Sequence, residues 1–259
     1  MSRFIILFCL LAVTVKADVT AVTIYVDRNY APLSYGHEYD VKGFYNDILK
    51  LAFSRMPEYH VNLKAVNWEE GRRLVEQGEG FALAPAYYHG HDWKYLYPYS
   101  IPIYSERVSV ICARSAVARV NMSWPSSFIN KRIGSVKGYD GWGGEEFRVL
   151  VRLGKVAYKE SSTMNALVQA LSKREVDCIL AEENVFIAQV LRQKLARDDF
   201  LTAATVGFDH VYIGYSKVFL EHHADKVYLD FMQAFDNEIF KMQKAGTIDE
   251  LKQHYLKIE

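Results

Sequence analysis

Apolar side chains recur along this chain in two ways, in short unbroken or alternating runs that suit strands and at three-to-four spacings that suit helices. Residues 22–26 (VTIYV) form an apolar run of strand length. The segment 43–56 then places Phe44, Ile48, Leu51 and Ala52 on one helical face, and Pro57 closes it. Residues 61–66 alternate as a second strand, 68–77 fit a short helix stopped at Gly78, and 81–84 give a third strand. This β-α-β-α-β order with short connections predicts an α/β lobe on a mainly parallel sheet.

After a strand at 106–112 and a turn-rich connection at 121–127, the pattern restarts. Strands are expected at 132–136, 155–158 and 176–181, and helices at 145–153, 163–172 and 183–195. Val185, Ile187, Ala188, Val190 and Leu191 supply the apolar side of the last helix. One more strand (210–215) and two helices (224–245 and 247–259) complete the chain, and Thr247 with Glu250 fits a capping box. The restart predicts two lobes, residues 18–110 with 212–259 and residues 111–211. Strands near Val108 and Val211 would join them as a two-strand hinge.

The first 17 residues change the picture of location. Arg3, an apolar run from Phe4 to Val13, and a small residue at Ala17 read as a cleaved secretory signal, too short for a membrane span. The mature chain is therefore expected in the periplasm. It carries two cysteines, Cys112 and Cys178, each inside an apolar strand-like run, and the favoured reading is two buried free thiols. Asn121-Met122-Ser123 matches a glycosylation acceptor, a pattern without meaning if the source is bacterial. Charge is balanced, 31 Lys and Arg against 31 Asp and Glu. Nucleic acid and anionic membranes favour a basic excess, so neither is expected as a partner.

The stretch Ala82 to Ser100 (ALAPAYYHGHDWKYLYPYS) opens as a buried strand and then releases aromatics, two histidines and charges into a loop. Loops carry functional side chains while a sheet holds them in place, so a binding cleft is expected here. Within the loop, two imidazoles one residue apart, His89 and His91, with Asp92 allow convergence on one metal ion. Alternate loop residues meet that pattern by chance, and the favoured reading is a polar rim without metal or cofactor.

Several motifs occur in a telling order: YAPLSY followed by GFYNDILKLAF, a Trp-Glu-Glu with a downstream glycine, YPYSIPIY, KRIGSVKGYDG, EVDCILAEE and KAGTIDELKQHYL. In that order and spacing the chain resembles the family 3 periplasmic solute-binding proteins of the amino-acid-binding type, over essentially the whole mature sequence. The resemblance implies an α/β, two-lobed, hinged fold, and a small-molecule ligand held between the lobes. It further implies delivery to an ABC importer or reading by a membrane sensor, and a monomer. It assigns Tyr30 to stacking on the ligand and Glu182 to an ammonium group. It also places an arginine, which forks onto the ligand carboxylate, at or beside Trp93. Here the chain offers His91, Asp92, Trp93 and Lys94, with no arginine between Arg73 and Arg107. A lysine cannot reproduce the fork. An amine, an aromatic compound or a peptide-like or sugar-like solute is therefore expected ahead of a standard α-amino acid.

The residues themselves point to the same geometry, because ligands of open α/β sheets bind beyond the carboxyl ends of the strands. Those positions hold Tyr30, Tyr35, Trp68, Pro85, Ala86, Tyr87, Tyr139, Gly141, Trp142 and Glu182, an aromatic box with one carboxylate. Trp93 and Tyr87 are expected to bind ligand without supporting the fold. The glycine turn at 138–141 precedes a helix, so its amides suit an anionic group. The resemblance also admits a dehydratase-like enzyme or a peptidoglycan-cleaving companion domain. Against them, GxSxG, HExxH and a phosphate-cradling glycine loop are absent, Glu182 has no partner as a general acid, and no further domain is expected after Glu259. Binding without catalysis is the expectation.

Overall fold

The computed structural model describes residues 20–139, 142–223 and 225–255. The secretory signal read at 1–17 and the predicted site residue Gly141 lie outside these residues.

Strand β1 (Thr20–Asp27) sends Val22, Ile24 and Val26 into the core and is an internal strand, paired on both edges. The chain then makes a small antiparallel sheet of β2 (Asn29–Tyr30), β3 (Ser34–His37) and β4 (Asp40–Lys42) before helix α1 (Phe44–Ser54). α1 buries Phe44, Tyr45, Ile48, Leu49 and Ala52, the stripe expected of an amphipathic helix. β5 (Tyr59–Val66) returns parallel to β1, α2 (Trp68–Glu76) crosses over, and β6 (Ala82–Ala86) pairs parallel on β1's other side. β7 (Leu96–Tyr99) and β8 (Tyr104–Ala113) follow.

The second half repeats the plan with β9 (Arg132–Val136), α3 (Gly144–Arg152), β10 (Ala157–Ser161), α4 (Met164–Ser172), β11 (Cys178–Glu182) and α5 (Glu183–Arg192). β12 (Phe200–Ser216) leads into α6 (Lys217–His222), α7 (Lys226–Lys244) and α8 (Thr247–Tyr255). The strands lie in the order β10-β9-β11-β8-β12-β6-β1-β5, with β7 also on β12. The sheet is curled and mostly parallel within each half, and helices flank it. β12 pairs with β8 from Phe200 to Val211 and with β6 and β7 from Tyr212 onward, so it runs through both halves.

Two differences from the sequence pattern have clear causes. β12 begins ten residues earlier than the run at 210–215, because register shifts at Thr202/Ala204 and Thr205/Gly207 break its alternation. Cys112 and Cys178 are direct cross-strand partners in β8 and β11 and form a disulfide. This corrects the expectation of two free thiols, since each strand taken alone shows only an apolar run. Among the described residues no helix is long and apolar enough to cross a membrane.

Candidate ligand-binding site

The carboxyl ends of β1, β5, β6 and β9 converge on one cavity. β1 ends at Asp27, whose Oδ1 accepts the Asn29 amide at 2.8 Å in a local turn that swings Tyr30 inward. The Ser34 hydroxyl ties the same turn by donating to the Asp27 carbonyl at 2.7 Å. Trp68 opens α2 just past β5, Pro85 is the last residue but one of β6, and Tyr87 and His89 follow the strand. From the other half, Gly138, Tyr139 and Trp142 come down from the turn after β9. The enclosed space is narrow, about 30 Å³, room for roughly one water molecule. A wider hollow of about 290 Å³ adjoins it and shares Asp27, Trp68 and Tyr139.

The two walls touch. The Tyr139 hydroxyl donates to Asp27 Oδ2 at 2.8 Å, and the Trp68 indole donates to the Gly138 carbonyl at 2.8 Å. Gly138 offers its carbonyl to this contact, and its positive φ of 81° suits glycine. Tyr139 stands edge-on to Tyr30 at 5.7 Å and to Trp68 at 6.0 Å, and Tyr87 lies against Trp142 at 5.9 Å between centroids. At the rim Lys137 pairs with Glu69 and Arg148 with Asp92, exposed pairs that solvent screens and that add little to stability.

Carboxylates underlie this aromatic lining. Glu106 on β8 is 1% exposed, and its oxygens accept the hydroxyls of Tyr30 at 2.5 Å, Tyr45 at 2.5 Å, and Tyr87. Burial pushes the Glu106 carboxyl up against the opposing pull of these three donors. Glu182, 4% exposed, caps α5 by accepting the Val185 amide at 2.8 Å and the Asn184 side chain at 2.7 Å. Burial, and then the nearby Glu106 charge, raise it to about 8. Asp27, 2% exposed, is raised by burial to about 6, while Asn29, Tyr139 and Arg28 pull the other way.

Of the residues expected at the site, Tyr30, Trp68, Pro85, Tyr87, Tyr139 and Trp142 line the cavity together. Tyr35 lies in a separate hollow with Arg28 and Arg192. Ala86 is buried in a cluster with Val75, Leu83, Trp93 and Leu96. Trp93 sits a layer behind the cavity, stacked on His89 at 3.8 Å with the Arg72 guanidinium 3.9 Å above its ring. α2 therefore brings an arginine to Trp93 although the loop has none, but Arg72 packs on the indole outside the cavity lining. Glu182 is a buried helix cap and not a lining residue. His91 is exposed, and among the described residues no three His, Cys, Asp or Glu side chains form a metal-holding group. The sequence reading missed Asp27, His89 as a lining group, and Glu106. The one available signal was a carboxylate at the end of an otherwise apolar strand, in VTIYVD and at the start of ERVSVIC.

The sequence profile of the bacterial extracellular solute-binding proteins, family 3, matches residues 22–258. No match is found among curated protein sequences. Solved structures share the fold. A variant of ArgBP from T. maritima superposes with a TM-score of 0.70 at 11% identity, covering 91% of this chain and 95% of that one. An ABC uptake transporter substrate-binding protein from Streptococcus pneumoniae with bound histidine gives 0.70 at 15% identity, covering 91% and 92%. A histidine kinase sensor domain with similarity to periplasmic binding proteins gives 0.71 at 11% identity, covering 92% and 97%.

Proposed function

This chain belongs to family 3 of the bacterial extracellular solute-binding proteins, and from that premise we propose that it captures one small molecule between the two halves of its sheet, without catalysing a reaction on it. The observation that carries this reading is the aromatic cavity at the strand ends, walled from both halves and bridged by the Tyr139–Asp27 hydrogen bond. In this reading residues 18–110 with 212–259 form one lobe and residues 111–211 the other. They rotate about β8 and β12, and the ligand selects the closed arrangement because only there does it touch both walls. Solute capture takes place in the periplasm after signal cleavage, as a monomer, and the Cys112–Cys178 disulfide suits that oxidising compartment.

The closed, loaded form is handed to an ABC permease. A second reading, a ligand-sensing subunit of a membrane receptor, draws on the likeness to the kinase sensor domain. The cleft is common to both, and recovery of a permease or of a signalling protein with the cross-linked chain separates them. For solute capture itself, the mature chain is melted against panels of amino acids, polyamines, quaternary amines, aromatic acids and sugars. One class is expected to stabilise it, by about 2.7 kcal/mol at a hundredfold excess over Kd, and Trp68→Ala is expected to abolish the shift. A flat response across all classes contradicts solute capture.

A further inference from the structure

The cavity's charge and hydrogen bonding specify a solute more narrowly than its position does. Among the described residues its lining contains an acid, Asp27, but neither lysine nor arginine. Every lining tyrosine commits its hydroxyl proton to a carboxylate, Tyr30 and Tyr87 to Glu106 and Tyr139 to Asp27. The rings, not the hydroxyls, are left to meet a solute. With Trp68 and Trp142 they offer five aromatic side chains whose faces attract positive charge.

An anionic group would fare poorly here. It would lose water while facing Asp27, with no lysine or arginine among the described lining residues to replace that solvation, and the adjoining Arg28 already acts on Asp27. The nearest guanidinium of α2, Arg72, is stacked on Trp93. Lys137 at the rim is paired with Glu69 at 2.8 Å.

We propose that the solute is an organic cation, an ammonium or quaternary ammonium head with no carboxylate of its own, caged by these rings with Asp27 as its counter-charge. The assignment rests on the solute-binding reading. The head enters as the Tyr139–Trp142 wall withdraws, and it takes the place of the Tyr139 hydroxyl as the partner of Asp27. The remainder of the molecule extends into the adjoining hollow, where Asn29, Asn67 and Thr163 provide polar contacts. The Trp142 indole N–H, buried without a partner among the described residues, suits an acceptor on the solute such as a hydroxyl.

Isothermal titration of the mature chain at pH 7.5 with choline, tyramine and agmatine, against arginine, glutamine and benzoate, tests this directly. Agmatine and arginine differ by the carboxylate alone. At least one carboxylate-free cation is expected to bind at least tenfold more tightly than arginine, glutamine and benzoate. Asp27→Asn and Trp68→Leu, each checked for its fold by circular dichroism, are each expected to weaken that cation at least tenfold. Tightest binding by arginine, glutamine or benzoate overturns the cation assignment and leaves solute capture standing. Cation binding unchanged in both variants also overturns it, because the cation then sits elsewhere. Binding by none of the six overturns it too, and the melting panel then decides separately whether solute capture survives.

Discussion

Glu106 shapes the cavity floor because a carboxylate removed from water holds any donor that reaches it. Tyr45 reaches it from α1 without lining the cavity. Tyr45→Phe is therefore expected to leave one carboxylate oxygen short of a donor and to destabilise the chain by ~1–3 kcal/mol, read as a lower midpoint in urea denaturation. Glu182 makes a pH-dependent contribution of definite sign. Its folded value of about 8 lies above the ordinary 4.5, so the folded chain holds this proton where the unfolded chain has released it. Stability should accordingly fall as pH rises from about 4.5 to 8, at up to ~1.4 kcal/mol per unit, and level off above. Asp27 adds a fall of the same sign between 3.8 and about 6. Thermal melts of Glu182→Gln, which keeps an acceptor for the Val185 amide, should lose most of the slope between pH 6 and 8 and melt higher than wild type at pH 8. An unchanged slope would place the buried proton elsewhere.

The β8–β11 pair carries the covalent link that the individual strands conceal. The 66-residue separation of Cys112 and Cys178 corresponds to about 4 kcal/mol in the chain-entropy account. The double variant Cys112→Ala/Cys178→Ala should lose about 2–4 kcal/mol in denaturant titration, and dithiothreitol should shift the wild type alone. What the sequence made legible follows from how local each signal is. β1, α1, α2, β9 and α4 were readable because their periodicity is complete within a few turns or residues. Tyr30, Trp68, Pro85, Tyr87, Tyr139 and Trp142 were readable because each stands just past a strand end, where an α/β sheet exposes side chains. Asp27 was not, because its cross-cleft partner Tyr139 lies 112 residues away. Glu106 was hidden for the same reason, with donors 19, 61 and 76 positions distant. Trp93 looks like a binding residue in an aromatic loop, whereas it is buried and packed against His89 and Arg72. Trp93→Ala should cost about 3–5 kcal/mol of stability, read in the same titration, which reverses the sequence-based expectation of an intact fold.

At the scale of the whole molecule, β8 and β12 tie the two halves of the sheet, and the cavity lies where the halves face each other. The contacts across it, Tyr139 with Asp27 and Trp68 with Gly138, are two hydrogen bonds and a few ring edges. So small a contact is readily exchanged for a bound solute, whereas the sheet pairing within each half is not. Whether one small molecule occupies this place is most directly measured by native mass spectrometry of the chain purified from its own cells without added ligand. The account predicts a single non-covalent adduct at one per chain, absent from the Trp68→Ala/Trp142→Ala variant prepared in the same way. A bare chain in both preparations, or the same adduct on both, would contradict it.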